Sequence, residues 1–250
     1  MKKILFLLFF LFTIISCKKE KTETIEEETE IEIVKDSLKE VEITILDTIK
    51  TKIPQQLLAS IEKDHQGKQY KIINFNLGFI DYNETEDAVI IIQEKDKSSG
   101  ISESILVYQN TKDSYLLMAQ NRSIITQEYF FTDEHTNSSK EIEIKEHHIK
   151  VSMFCYGPCG NTFLDFKFEN DAIRLSNFST YDVGAGAEIE SEYDIEKNLV
   201  KIAMTNTMTD EMEVIEEEFT FTYSKGIRFI DLNTKDLFKE LGNLESKIII

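Results

Sequence analysis

Leu164-Asp165-Phe166-Lys167-Phe168 sets three large apolar side chains on one side of an extended chain and two charges on the other. Strict alternation of this kind marks a strand with one buried face and one wet face. The same period recurs on both sides of this stretch. Ile149, Val151 and Met153 share a face, as do Val200, Ile202 and Met204. Ile189, Tyr193 and Ile195 stand opposite Glu188, Glu190, Glu192 and Asp194, and Phe219, Phe221 and Tyr223 alternate with Thr220 and Thr222. Ala88–Ile92 is an apolar run bounded by charges, which predicts a strand buried on both faces. Ile105–Tyr108 and Tyr115–Met118 flank the turn-like Gln109–Ser114. A first strand is predicted over Glu40–Ile49 and a last one over Ile248–Ile250. Helices are few. Pro54 opens one, with Leu57, Leu58 and Ile61 on one face and Gly67 as its stop. Thr234–Leu241 predicts a second short one. No repeated helical crossovers separate the strands, as a parallel sheet would require. The expected fold is therefore mainly β. It is a single antiparallel domain over residues 40–250, a sandwich or strongly curled sheet, with one or two short helices.

The chain has 250 residues, with 28 Lys and Arg against 46 Asp and Glu, a formal net charge of −18. That charge repels phosphates and argues against nucleic acid as a partner. Apolar residues make up 41%, enough for a core, so collagen-like and wholly disordered classes are excluded.

The N-terminus reads as an address. Lys2 and Lys3 precede the apolar run Ile4–Ile15, which is far shorter than the roughly 20 residues of a spanning helix. The run ends in Ile14-Ile15-Ser16-Cys17, which resembles the lipobox of bacterial lipoproteins. The resemblance implies a signal peptide over 1–16, lipidation (palmitate) of Cys17, and a mature chain beginning there. Residues 17–39 lack Pro, Gly and aromatics and crowd seven Glu between Glu20 and Glu32. They predict a solvated acidic tether. Lys18 follows the lipidated position. By analogy this favours the outer membrane, at its periplasmic face or the cell surface.

Cys155 and Cys159 remain, in Cys155-Tyr156-Gly157-Pro158-Cys159-Gly160. In an exported protein this spacing at a turn predicts a disulfide rather than a thioredoxin-like pair, which has two intervening residues and a helix start. His147 and His148 lie nearby, but adjacent strand residues point to opposite faces. His65 and His135 show no ligand spacing. Asp81-Tyr82-Asn83-Glu84-Thr85-Glu86-Asp87 resembles a degenerate calcium loop of FG-GAP-like β-repeats. The resemblance implies Asp81, Asn83 and Asp87 as oxygen ligands. Thr85 and Glu86 replace an acid and the turn glycine, so the loop reads first as a polar hairpin-like turn and no tight site is expected; weak calcium binding is the alternative, and no other cofactor is expected.

No nucleophile elbow, zinc-protease motif or phosphate loop occurs. Gly184-Ala185-Gly186-Ala187 lacks a following helix and reads as a tight turn. Glu211, Glu213, Glu216, Glu217 and Glu218 read as a solvated face. The expected function is that of a non-catalytic binding protein anchored to the envelope, with a basic envelope protein as partner. An envelope glycan or peptide hydrolase using loop carboxylates, and a nutrient ligand-capture protein, are the alternatives.

Overall fold

Two antiparallel meanders organise the chain. The computed structural model describes residues 49–96, 100–125, 138–155, 160–184, 186–194, 197–221 and 226–248. They belong to the compact unit Leu46–Ile250. The first sheet runs β1 (Gln69–Gly78), β2 (Asp87–Asp96), β3 (Gly100–Asn110) and β4 (Tyr115–Asn121), each strand beside the next. The second runs β5 (Ser138–Lys145), β6 (His148–Cys155), β7 (Asn161–Glu169), β8 (Ala172–Gly184), β9 (Ala187–Asp194), β10 (Leu199–Asn206) and β11 (Val214–Thr220). Neither closes into a barrel. Among the described residues two helices of more than two turns accompany them, α1 (Gln55–Asp64) and α2 (Thr234–Glu245), beside single helical turns. The chain is mainly β and antiparallel, as the alternation predicts.

The period-two residues form continuous rows across the second sheet. Val151, Leu164, Phe178, Tyr193, Val200 and Phe219 are successive cross-strand neighbours. Such neighbours are the units that stabilise a sheet. Leu237, Leu241 and Leu244 of α2 are buried with this inner face. Phe238 packs on Phe178 at 6.2 Å between ring centroids. Phe166 meets Phe229, on a single 3-10 turn, edge to face at 5.1 Å.

The first sheet has no wet face along its centre. Val89, Ile91, Ile105 and Val107 join the core of the second sheet. Ile90, Ile92, Leu106 and Tyr108 pack with Leu57 and Ile61 of α1. Ala88–Ile92 is accordingly 0% exposed throughout. The expectation of burial on both faces holds.

Side chains of the edge strands tie the sheets together. Asn74 Nδ2 donates to the Lys140 carbonyl (3.2 Å), and Asn76 Oδ1 accepts from Ile144 N–H (2.9 Å). Gly78 is pressed against Ile144, where an added Cβ would stand 2.8 Å from both Cβ and Cγ2 of that residue. Gly78→Ala is expected to cost about 1–3 kcal/mol, the usual penalty of overpacking. Urea unfolding measures it, and an unchanged midpoint would mean that the two edges yield freely.

Some local readings are corrected. Ile49 lies in a short helical turn rather than a strand, and residues 40–48 lie outside the described residues. The predicted strand ends at Thr220, and Thr222 and Tyr223 lie outside the described residues. Phe221 leaves the ladder, its N–H donating to the Asn198 carbonyl (3.0 Å) while its ring packs on Tyr193 at 4.5 Å. Ile248 is not in a strand, Ile249 and Ile250 lie outside the described residues, and the helix begun at Thr234 continues to Glu245. Gly186 sits at the turn between β8 and β9, with φ 85°.

Candidate functional site

The Asp81 loop does bring Asp81, Asn83 and Asp87 together, but as a set of locked turns. Asp81 Oδ1 accepts from Asn83 N–H (3.0 Å), and its Oδ2 accepts from Asn83 Nδ2 (2.9 Å) and Gln109 Nε2 (2.7 Å). Asn83 Oδ1 accepts from the N–H and hydroxyl of Thr85 (2.8 and 2.7 Å). Asp87 accepts from the N–H groups of Ile80 (3.1 Å), Asp81 (3.4 Å) and Asn110 (2.9 Å). Both carboxylate oxygens of Asp81 and of Asp87 are taken by N–H donors. This is the side-chain bonding that holds a turn. Calcium would have to displace these donors to bind.

Tyr82, at the tip of the loop, is 82% exposed and lies on His147 at 4.8 Å between centroids. His147 Nδ1 lies 3.1 Å from the Asp81 carbonyl, an acceptor only, so that nitrogen carries the proton. His147 is not on a strand: it occupies the β5–β6 turn with φ 64°. His148 opens β6, with Nδ1 2.5 Å from Asp165. Contrary to the expectation of opposite faces, both histidines line one recess of about 560 Å³, with Tyr82, Lys167 and Asp171. Among the described residues no group of three or more His, Cys, Asp or Glu is placed to hold a metal. His65 is buried, its Nδ1 2.8 Å from Glu94. Burial alone would raise the Glu94 carboxyl. The bonds from Lys68 and His65 and the charge of Arg122 outweigh it and hold the group below the usual range. His135 lies outside the described residues.

Cys155 is disulfide-bonded, and its N–H donates to Asn161 Oδ1 (3.2 Å). Cys159, Tyr156 and Cys17 lie outside the described residues.

The outer face of the second sheet carries a cluster of acids. Glu188, Glu190, Glu192 and Asp194 project from β9, and Glu216 and Glu218 from β11, with β10 between them. Lys201 stands in the middle, opposite Glu192 on one side and Glu218 on the other, its Nζ 2.9 Å from Glu216. The bond and charge of Glu216, helped by Glu218 and Glu192, hold its ammonium above the ordinary value. Tyr181 lies opposite Glu190, and Phe163 opposite Ser179. Phe163 meets Phe154 edge-on at 5.7 Å. A groove of about 370 Å³ opens between Phe163, Tyr181, Glu190, Glu192, Lys201 and Glu216. Aromatic faces beside carboxylates suit an ammonium or guanidinium group, which gains from both.

The alternation of Glu188 to Asp194 was legible as a wet face. What the sequence hid was the assembly. Phe163 and Glu216 are 53 positions apart in the sequence and meet only because five strands lie side by side. Each hairpin joins chain neighbours, so a strict meander was the one signal capable of revealing it.

No family model matches this chain, and neither a curated protein nor a solved structure matches it.

Proposed function

We propose that this chain is a lipoprotein anchored through Cys17 to the outer membrane, acting there as a non-catalytic binding protein whose acidic, aromatic sheet face receives a basic envelope partner. The observation that carries the reading is the groove on the outer face, with Phe163 and Tyr181 beside Glu190, Glu192 and Glu216. A rigid antiparallel scaffold presents it. The field of a −18 chain draws cations toward it and discourages acidic competitors. The recess beside Tyr82 and His147 favours capture of a small ligand as a second reading, since an exposed ring flanked by polar groups is a common ligand platform.

Two experiments test the proposal. Cys17→Ala is expected to move the protein from the membrane fraction to the soluble one, and retention in the membrane would remove the anchor. For the face, Glu190→Gln/Glu192→Gln/Glu216→Gln is compared with the unaltered protein on a column challenged with a detergent extract of the native envelope. The unaltered protein is expected to hold one stoichiometric basic partner. The triple variant should associate about tenfold more slowly at low salt, as loss of steering charges implies. An empty column, or equal retention by both proteins, would overturn the assignment.

A further inference from the structure

The inner face of the second sheet carries a polar step within its apolar rows. Thr162, Thr180 and Ser191 are cross-strand neighbours on β7, β8 and β9, and all three are buried. Asp182 follows two residues after Thr180 on the same face of β8. From the last turn of α2, Glu245 reaches the same place, its Oε1 accepting from Ser191 Oγ at 3.4 Å. Asp182 lies against Gly160, where an added Cβ would fall 1.5 Å from its Oδ1. The bare Cα of Gly160 makes the room.

Neither carboxylate has the cationic partner that Glu94 and Glu103 have. Among the described residues no Lys, Arg or His forms an ion pair with either one. Burial pushes both carboxyls above the ordinary range, and the charge of Asp182 pushes Glu245 up further. Other charged groups near this face are Glu240 of α2, which acts on Tyr193, and Glu217, opposite Ile202. Lys247 is turned to the ring of Phe219, 5.7 Å away. A separate observation falls on the same strand rows: Thr180, the cross-strand neighbour of Ser191, is only 5% exposed and its Oγ1 has no hydrogen-bond partner. An orphaned buried hydroxyl beside two uncompensated carboxylates calls for something that its oxygen can face.

We propose that Asp182 and Glu245, with the hydroxyls of Thr180 and Ser191, form a binding site for a hard divalent cation of the calcium class. All four donors are oxygens, the preference of such ions. The ion neutralises two half-buried charges that otherwise repel, and it fastens the end of α2 to β8 and β9. The contrast with the Asp81 loop is chemical: there N–H groups occupy the oxygens, whereas here the oxygens lack cationic partners.

The test uses the full lipidated chain in detergent, freed of divalent ions on a chelating resin. Calcium chloride is then added during thermal melting and calorimetric titration. At about a hundredfold excess over Kd the melting temperature is expected to rise by roughly 5–10 °C. Glu245→Gln and Asp182→Asn should melt no lower than the ion-free parent, because repulsion is relieved, and should lose the calcium response. Asp81→Asn should keep it. Absence of heat and of any shift up to about 10 mM calcium, beyond the weak extracellular range, would overturn the proposal. An undiminished shift in Glu245→Gln would do the same. So would a parent that gains stability on acidification yet ignores calcium, which would make the pair a proton site only.

Discussion

Glu103→Ala is expected to destabilise the protein by about 3–5 kcal/mol, the usual cost of breaking a buried ion pair by removing one member. Glu103 on β3 accepts from Lys140 Nζ on β5 at 2.6 Å, and the two side chains are only 5% and 8% exposed. Gln93 Nε2 adds a bond to the same carboxylate at 3.3 Å. The pair bridges the two sheets where Asn74 and Asn76 also cross. Truncation removes the carboxylate that Lys140 Nζ donates to at this buried crossing. The pair need not be a net gain, however. Glu103→Leu combined with Lys140→Met should recover most of the loss, since buried ion pairs are often matched by apolar residues of similar size. Chemical unfolding of both variants decides the matter. Equal losses in the single and double variants would mean that packing volume, not the broken ion pair, sets the cost.

The same crossing shows where a sequence stops being informative. Nothing in the sequence marks Lys140 or Glu103, because their burial is created by the approach of two separate sheets. The strands that were missed have a local cause. β8 carries Ile173 and Leu175 and then Phe178, because a register shift opposite Asp165 and Phe166 inserts a residue and breaks period two. β1 has the same fault between Ile72 and Asn74. β5 offers only Ile142 and Ile144 as its apolar alternation. Where no bulge intervenes, as in β7 and β10, the side-chain pattern and the strand agree. Ala88–Ile92 was legible for a different reason: a strand covered on both faces has no wet side to display. The Asp81 loop was legible as a polar turn of acids and amides, but its chemistry was not. Which oxygens accept N–H groups depends on Gln109 and Asn110 from the next hairpin. The pairing of Asp182 with Glu245 was less legible still, since it joins a strand to the C-terminal helix and depends on the missing side chain of Gly160.

Asp87→Ala is expected to cost about 3 kcal/mol or more, because each buried N–H left without an acceptor costs about 1–3 kcal/mol. Asp87 is wholly buried and holds the N–H groups of Ile80, Asp81 and Asn110, drawing the loop before β2 against the end of β3. Asp87→Asn keeps one acceptor oxygen and turns an amide toward donors, so it should lose part of that amount. The pH dependence of this pair of variants gives a second reading. Burial raises the Asp87 carboxyl, the N–H bonds oppose it, and the charge of Asp81 adds to the rise, with a net upward direction. A group raised in the folded state contributes stability that is complete below its unfolded pKa and is lost as the pH rises through its folded pKa. The parent should therefore gain on Asp87→Asn as the pH is lowered through the carboxylate range, while the asparagine contributes no slope of its own. Urea midpoints across that range measure the difference. The Asp87→Ala loss should also be the same in calcium and in chelator, because the oxygens of this loop serve N–H groups. A loss that grows when calcium is supplied would show instead that Asp87 ligates the ion, and would return the calcium site to the Asp81 loop.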